Sequence, residues 1–181
     1  MRILCFGDSN TYGYDPRSWC GEPYETPWVD ALAGKLGCTV INEGENGRGI
    51  SRSEHSLNLL LNRHQPVDLL IVMLGTNDLL QGNSPEAVAA RMAHFLEEVQ
   101  FEKSKILLLA PPPMKLGEWV SSPALVDASR QLSGLYRGLG VRCTGGWEIP
   151  LAFDGVHFTE EGHRAFAEHL YRYLKTEVDH G

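Results

Sequence analysis

A serine and an Asp–His pair, far apart in the chain, are the residues whose chemistry stands out first. Ser9 stands in Gly7-Asp8-Ser9, directly after a short apolar run. Asp154 precedes His157 by three residues, so its carboxylate can turn back and accept the Nδ1 proton, which leaves Nε2 free to act as a base. A serine beside such a base becomes a nucleophile. Taken alone, Gly-Asp-Ser is more typical of a helix cap or turn, and Asp-x-x-His of an exposed loop pair.

Two further segments combine glycines with polar side chains. Residues 42–49 hold three glycines, which permit backbone conformations closed to other residues and close approach to a ligand. Asn77 follows Gly75 at the end of another apolar run. Its side-chain amide either caps the segment that follows or points into a site as a hydrogen-bond donor. A flexible surface loop is the alternative for residues 42–49, so neither segment is decisive by itself.

Short apolar runs alternate with helical patterns along the chain, and this predicts the elements that position these residues. Five runs carry the continuous hydrophobicity of strands covered on both faces: Ile3–Phe6, Thr39–Asn42, Asp68–Leu74, Lys105–Ala110 and Gly140–Cys143. Strand–helix alternation predicts a three-layer α/β/α fold with a five-stranded parallel sheet of flavodoxin-like order. The carboxyl ends of parallel strands share one edge, where the serine, the amide, the glycines and the Asp–His pair would meet. Only acyl-transfer chemistry uses that whole set.

Helical periodicity fills the intervals between the strands. Ser84-Pro85-Glu86 indicates an N-cap, an N1 proline and an acidic first turn. The other predicted helices lie near Trp28–Leu36 and Ser53–His64, along a stripe from Leu125 to Leu139, and after Thr159. Residues 111–123 are Pro-rich, lack periodicity and carry Trp119. Because they follow the fourth strand, they are a candidate lid or substrate wall, with a plain connection as the alternative.

Composition limits the classes of partner. The chain has 181 residues, of which 43% are hydrophobic and 22% charged, as in ordinary globular proteins. Its net charge of −7 argues against nucleic acid or an anionic membrane as a partner. No apolar run approaches the roughly 20 residues that span a bilayer, and the first apolar run is too short for a signal-peptide core. The sequence therefore predicts a cytoplasmic location and no membrane span.

The cysteines are scattered, at Cys5, Cys20, Cys38 and Cys143. They include no C-x-x-C pair, and no histidine lies at metal-ligand spacing from them, so the pattern favours buried free thiols over a zinc site. The chain also lacks linkers, repeats and low-complexity tracts, and residues 1–181 are therefore predicted to form a single domain.

The motifs together resemble the SGNH hydrolase superfamily, also called GDSL esterases, over essentially the whole chain. The family's four blocks match at Gly7-Asp8-Ser9, Gly47, Gly75-Thr76-Asn77-Asp78 and Asp154-Gly155-Val156-His157. Asn10 stands where the family often has Leu, a departure expected to be minor because that side chain is not chemically required. Residues 2–9, 71–78, 111–113 and 154–159 more narrowly resemble the arylesterase/acyltransferase branch. Members of that branch build high-order oligomers through insertions that this shorter chain lacks, so a homo-oligomer is left open here.

This resemblance implies a role for each matched residue. Ser9 would attack the acyl carbon, His157 would act as base and then acid, and Asp154 would orient His157. The oxyanion would be held by the main-chain N–H groups of Ser9 and Gly47 and by the side-chain amide of Asn77. The implied activity is hydrolysis of short-chain carboxylic or aryl esters, or transfer of their acyl group, with a small-molecule ester as substrate. Neither a metal nor an organic cofactor is required.

Other functions stay open from the sequence. The same triad would suit a lysophospholipase, a thioesterase or a carbohydrate acetylesterase. A flavin-binding carrier is a distant alternative, because residues 9–13 loosely resemble a flavodoxin phosphate loop and Tyr14 or Trp19 could stack on a flavin. A phospho-acceptor receiver domain is less favoured again, since no Lys follows the fifth strand.

Overall fold

A five-stranded parallel sheet forms the centre of the protein and confirms the predicted fold class. The computed structural model describes residues 1–178. Its strands are β1 (Arg2–Gly7), β2 (Thr39–Gly44), β3 (Leu69–Met73), β4 (Ile106–Ala110) and β5 (Arg142–Gly145). They lie in the order β2-β1-β3-β4-β5, and every neighbouring pair is parallel. The single-domain prediction extends to residue 181 and stays a prediction.

Seven α-helices are found in the described part of the chain. They are α1 (Ser9–Tyr12), α2 (Trp28–Leu36), α3 (Ser53–His64), α4 (Thr76–Leu80), α5 (Pro85–Glu98), α6 (Pro123–Tyr136) and α7 (Glu160–Val178). The bounds of α2 and α3 agree with the sequence prediction. The predicted cap of α5 is also confirmed, because the Ser84 hydroxyl accepts a hydrogen bond from the N–H of Ala87.

Side chains on both faces of the sheet are buried, as the continuous hydrophobicity of the strands predicted. On β1, Leu4 and Phe6 join one core cluster, while Ile3 and Cys5 join the cluster on the opposite face. Helices α3, α5 and α6 pack on the first face, and α2 and α7 pack on the second. The two layers hold the sheet rigidly, so its carboxyl edge is a fixed base for the loops that leave it.

Three details of the sequence prediction are wrong. Helix α6 ends at Tyr136, so Leu139 of the predicted helical stripe lies beyond it. Strand β5 runs over Arg142–Gly145 rather than Gly140–Cys143, because Gly140 adopts a left-handed turn conformation (φ +77°) before the strand begins. All four cysteines are free, but only Cys5 is buried: Cys38 and Cys143 are partly exposed, and Cys20 is exposed. No helix of residues 1–178 is both long and apolar enough to cross a membrane.

Candidate active site

Ser9 lies at the carboxyl end of β1, on the first residue of α1. The carboxylate of Asp8 caps this short helix by accepting the N–H of Asn10 at 3.0 Å. Gly7 allows the sharp turn, because a Cβ at that position would lie 2.0 Å from the Thr11 hydroxyl oxygen. The hydroxyl of Ser9 is therefore fixed on a rigid turn at the sheet edge.

His157 and Asp154 complete a hydrogen-bonded chain with Ser9. The Oγ of Ser9 lies 2.9 Å from Nε2 of His157, and Nδ1 of His157 lies 2.6 Å from Oδ2 of Asp154. Ser9 is 8% exposed, His157 3% and Asp154 0%, so the three hydrogen-bonded side chains are largely removed from water. The structure brings together all three residues that the sequence nominated as a triad.

Asp154 is held as a carboxylate by its hydrogen bonds. Burial alone would raise the pKa of Asp154, but the imidazole of His157 and the main-chain N–H groups of His157 and Val156 donate hydrogen bonds that lower it below its usual range. A charged acceptor therefore faces Nδ1 of His157. This fixes the tautomer in which Nε2 can take a proton from Ser9.

The three residues that the family resemblance nominates as oxyanion donors lie around one cavity. Ser9, Gly47 and Asn77 all line the same cavity as His157. In the part of the chain that the structure describes, the main-chain N–H groups of Ser9 and Gly47 bind no protein acceptor. Gly47 adopts φ +78° with open space around its Cβ position, so its backbone conformation rather than lack of room favours glycine there.

Arg48 fixes the segment that carries Gly47, and the sequence reasoning missed this residue. Its guanidinium donates to the carbonyls of Gly7 (2.8 Å) and Glu43 and to the carboxylate of Glu45, and it stacks 4.0 Å from the centre of the Phe6 ring. One planar side chain thereby ties the ends of β1 and β2 to the loop after β2.

Asp78 holds the other end of this loop, which we call the glycine loop (residues 45–50). Its buried carboxylate accepts the N–H of Ile50 at 3.0 Å and binds Arg91 at 3.3 Å. The adjacent Asn77 donates its side-chain amide to the carbonyl of Arg48 at 3.0 Å. Asn77 and Asp78 thus connect the carboxyl end of β3 to the glycine loop, and this path of the loop could not be read from residue types.

Two aromatic rings flank His157 at the mouth of a small cavity. The Tyr14 ring centre lies 4.6 Å from that of the imidazole, and the Trp119 ring meets the imidazole edge-on at 5.1 Å. The cavity has a volume of ≈ 250 Å³, and Leu80 and Val156 add apolar surface. Among its described lining residues there is no Asp, Glu, Lys or Arg. It therefore suits a small, uncharged acyl group.

Trp119 lies on the strap (residues 111–122), the segment between β4 and α6 for which a lid or a wall was expected. The strap is hydrogen-bonded to the loop that carries Asp154: Lys115 N–H donates to Gly155 O (2.9 Å), and Trp119 N–H to Asp154 O (3.0 Å). Trp119 lines the cavity, so the strap forms part of its wall.

Asn10 is tied into the site, contrary to the minor role expected for the residue after Ser9. Its side chain is 4% exposed and forms hydrogen bonds to the main chain at Val156 and Phe158. No group of three or more His, Cys, Asp or Glu side chains within residues 1–178 is placed to hold a metal ion.

Comparison with known proteins agrees with this geometry. The model of the GDSL-like lipase/acylhydrolase family matches residues 5–165. An arylesterase from Vibrio mimicus is 26% identical over 113 residues, which are 60% of this chain and 53% of the relative, so the match spans about half the relative's length. A carbohydrate acetylesterase from Sinorhizobium meliloti has 28% identity and a TM-score of 0.82, with 97% of this chain and 99% of that chain covered. The inhibitor-bound aryl esterase of M. smegmatis has 26% identity and a TM-score of 0.83, with coverages of 97% and 98%.

Proposed function

This chain belongs to the GDSL-like lipase/acylhydrolase family, and we propose that it is a serine esterase acting on short-chain carboxylic or aryl esters through an acyl-enzyme on Ser9. The observation that carries the proposal is the continuous hydrogen-bonded path from Ser9 Oγ to His157 and on to Asp154, with bonds of 2.9 and 2.6 Å. Neither a flavin carrier nor a phospho-acceptor receiver domain needs a serine hydrogen-bonded to an Asp–His pair, so both alternatives leave this arrangement unexplained.

The first half of the reaction forms the acyl-enzyme. His157 Nε2 takes the proton of Ser9 as Oγ attacks the ester carbonyl, and the carboxylate of Asp154 stabilises the imidazolium that results. The tetrahedral oxyanion is bound by the N–H groups of Ser9 and Gly47 and by the Asn77 amide, which are in place before charge develops. His157 then protonates the leaving alcohol, and the carbon–oxygen bond to that alcohol breaks.

The second half releases the acyl group. A water molecule, or an alcohol in acyl transfer, gives its proton to His157 Nε2 and attacks the acyl carbon. The second tetrahedral oxyanion uses the same three donors. Its collapse returns the proton from His157 to Ser9 and frees the acid or the new ester.

Size and polarity of the cavity support a short acyl group. A volume of ≈ 250 Å³ leaves little space beyond a small acyl chain and its carbonyl, and Tyr14, Leu80, Trp119 and Val156 supply apolar contacts. The absence of charged residues among the described lining residues favours a neutral ester over a charged one.

The first test is removal of the nucleophile. We expect Ser9→Ala to abolish hydrolysis of p-nitrophenyl acetate and phenyl acetate, with the urea unfolding midpoint nearly unchanged. A fluorophosphonate should add to Ser9 of the unaltered protein, as read by peptide mass spectrometry. Ser133→Ala, which alters a partly exposed hydroxyl on α6, is the matched control and should keep full activity. Unchanged turnover in Ser9→Ala would refute the proposal.

A substrate panel distinguishes a short-chain esterase from other hydrolases that use the same triad. The kcat/KM values for acyl chains of increasing length distinguish a short-chain esterase from a lysophospholipase. Thioesters and acetylated monosaccharides test the thioesterase and the carbohydrate acetylesterase. The last deserves a place in the panel because a protein of that description shares 28% identity and nearly full coverage with this chain. The cytoplasmic location, the absence of a nucleic-acid partner and the oligomeric state stay predictions.

A further inference from the structure

Asn10 links the nucleophile turn directly to the loop that carries the imidazole. Its Nδ2–H donates to the carbonyl of Val156 at 3.1 Å, and its Oδ1 accepts the N–H of Phe158 at 3.0 Å. These two main-chain groups flank His157 on either side. The Asn10 side chain therefore forms hydrogen bonds to the main chain immediately before and after His157.

The main chain around His157 is fixed on one side by its own loop. The N–H groups of Val156 and His157 donate to the carboxylate of Asp154, and the carbonyl of His157 accepts the N–H of Ala152 at 2.7 Å. Among the hydrogen bonds of residues 1–178, the two from the Asn10 side chain join the main chain of this stretch to the nucleophile turn, beside the side-chain contact of Ser9 with His157. They therefore set the spacing between the two loops, across 146 and 148 residues of sequence.

A carboxamide is suited to this position because it presents a donor and an acceptor side by side. A leucine, which the family often has here, matches the approximate shape but can make neither hydrogen bond. It would leave a buried carbonyl and a buried N–H without these partners, and the loop would shift to satisfy them.

We propose that Asn10 is a positioning residue that holds His157 Nε2 at bonding distance from the Ser9 hydroxyl. The inference rests on the proposed esterase function. Proton transfer requires the two atoms in a narrow range of distance and angle, and small displacements lower the rate of the chemical step more than the binding of a small ester. Loss of the Asn10 contacts should therefore lower kcat and leave KM nearly unchanged.

The chain contains a matched control in Asn58. The Asn58 amide donates to Glu98 O at 3.0 Å and accepts Gln100 N–H at 2.8 Å, so it also grips a carbonyl and the N–H two residues further on. This bridge joins α3 to the end of α5, away from the residues that line the cavity. Replacing Asn58 removes the same pair of bonds without touching the Ser9–His157 contact.

The test compares Asn10→Leu and Asn58→Leu with the unaltered protein. We expect Asn10→Leu to lower kcat for p-nitrophenyl acetate at least tenfold, to slow fluorophosphonate addition to Ser9 in parallel, and to change KM less than twofold. Asn58→Leu should keep kcat within twofold, whatever its loss in urea unfolding midpoint. Full activity in Asn10→Leu, or an equal loss of kcat in Asn58→Leu, would overturn the inference.

Two smaller changes protect the test against a folding failure. Asn10→Ala removes both bonds without adding bulk, and Asn10→Asp keeps the shape and the acceptor but loses the donor to Val156. Failure of all three Asn10 variants to fold would assign the residue a structural role and would also overturn the inference. An unaltered protein that neither turns over esters nor reacts at Ser9 would instead refute the proposed function itself.

Discussion

The side-chain amide of Asn77 has two N–H bonds, and within the described residues one of them is used to hold its own orientation. That bond goes to Arg48 O at 3.0 Å, while Asn77 also lines the cavity beside Ser9. We propose that the second N–H faces the oxyanion. Because the amide is fixed beforehand, it needs no reorganisation when negative charge develops.

We therefore expect Asn77→Ala to lower kcat by about 100- to 1000-fold, the range found when one oxyanion donor is removed elsewhere. KM should change little, because the ground-state carbonyl gains less from the donor than the oxyanion does. Steady-state kinetics with p-nitrophenyl acetate measure this, and Asn58→Ala controls for loss of an amide as such. A fall in kcat of less than threefold would remove Asn77 from the oxyanion site.

Among single residues, the sequence nominated the candidate reacting groups and missed the residues that hold them in place. Ser9, Asp154, His157 and Asn77 could be nominated because their chemistry is specific. Arg48 could not, because its partners are mostly main-chain carbonyls, which every residue carries and which no sequence pattern marks. The importance of Asn10 likewise depends on where residues 156–158 pass in three dimensions.

Among the elements, the strap and the loop that carries Asp154 pack too closely for side chains at their contact. Gly155 adopts φ +81°, and a Cβ there would lie 2.1 Å from the carbonyl oxygen of Lys115. On the strap, a Cβ on Gly117 would lie 2.5 Å from the main-chain carbon of Asp154. The two glycines permit the hydrogen bonds that place Trp119 beside His157.

Gly155→Ala should therefore separate the strap from the triad loop. We expect it to destabilise the protein by several kcal/mol, since both the left-handed backbone and the steric overlap are unfavourable, and to lower kcat strongly. Gly140→Ala is the matched control, because Gly140 has φ +77° but open space around its Cβ position. It should cost only about 1 kcal/mol. Urea unfolding measures both, and equal losses would contradict the role of the contact.

Trp119, on the strap, should limit the length of the acyl group that the cavity accepts. Its ring lines the cavity beside His157, and 54% of the residue is exposed. Trp119→Ala should open the cavity, and each further methylene then buried contributes about 0.8 kcal/mol, roughly fourfold in kcat/KM. We expect the kcat/KM ratio of p-nitrophenyl octanoate to acetate to rise at least tenfold. Trp19→Ala alters a fully exposed tryptophan and should leave the ratio unchanged. An unchanged ratio in Trp119→Ala would show that Trp119 does not limit the acyl chain.

Element positions followed from the sequence where hydrophobic periodicity was strong. The bounds of α2 and α3, the cap of α5 and the order of the sheet all belong to this class. Prediction failed at β5, because its residues Arg142–Gly145 are only half-buried and two of the four are polar, so burial leaves little trace in their pattern. The strap has no periodicity at all, and its path is set by hydrogen bonds to residues 153–155.

For the whole molecule, two buried groups couple stability to pH in opposite directions. Burial raises the pKa of Asp8 from 3.8 to about 6, against the lowering effects of the Asn10 N–H and of His157 and Arg48. Burial lowers the pKa of His163 from 6.5 to about 3, with a smaller contribution from His157. His163 is fully buried, and its Nδ1 accepts the N–H of Trp28 at 3.2 Å, which suits the neutral ring.

Between about pH 4 and pH 6 the two effects should cancel. The folded protein holds a proton on Asp8 that the unfolded chain has lost, so this contribution to stability is present below pH 3.8 and is lost as the pH rises through about 6. The unfolded chain holds a proton on His163 that the folded protein lacks, so this contribution is complete above pH 6.5 and is lost as the pH falls toward about 3. The folded state holds one extra proton on Asp8 and the unfolded state one extra proton on His163, so the pair leaves the free energy of unfolding independent of pH in this range.

Single substitutions should expose each half of this balance. Relative to the unaltered protein, we expect the free energy of unfolding of Asp8→Asn to rise with pH by up to about 1.4 kcal/mol per pH unit between pH 4 and 6. The free energy of unfolding of His163→Asn should fall with pH by a similar amount, whatever its absolute loss of packing. Urea unfolding across this range gives the slopes, and taking differences removes the titrations shared by all variants. The double variant should be flat again relative to the unaltered protein, because both uneven proton counts are gone. If the free energy of unfolding depended on pH in the same way in all four proteins, neither Asp8 nor His163 would change its protonation on folding.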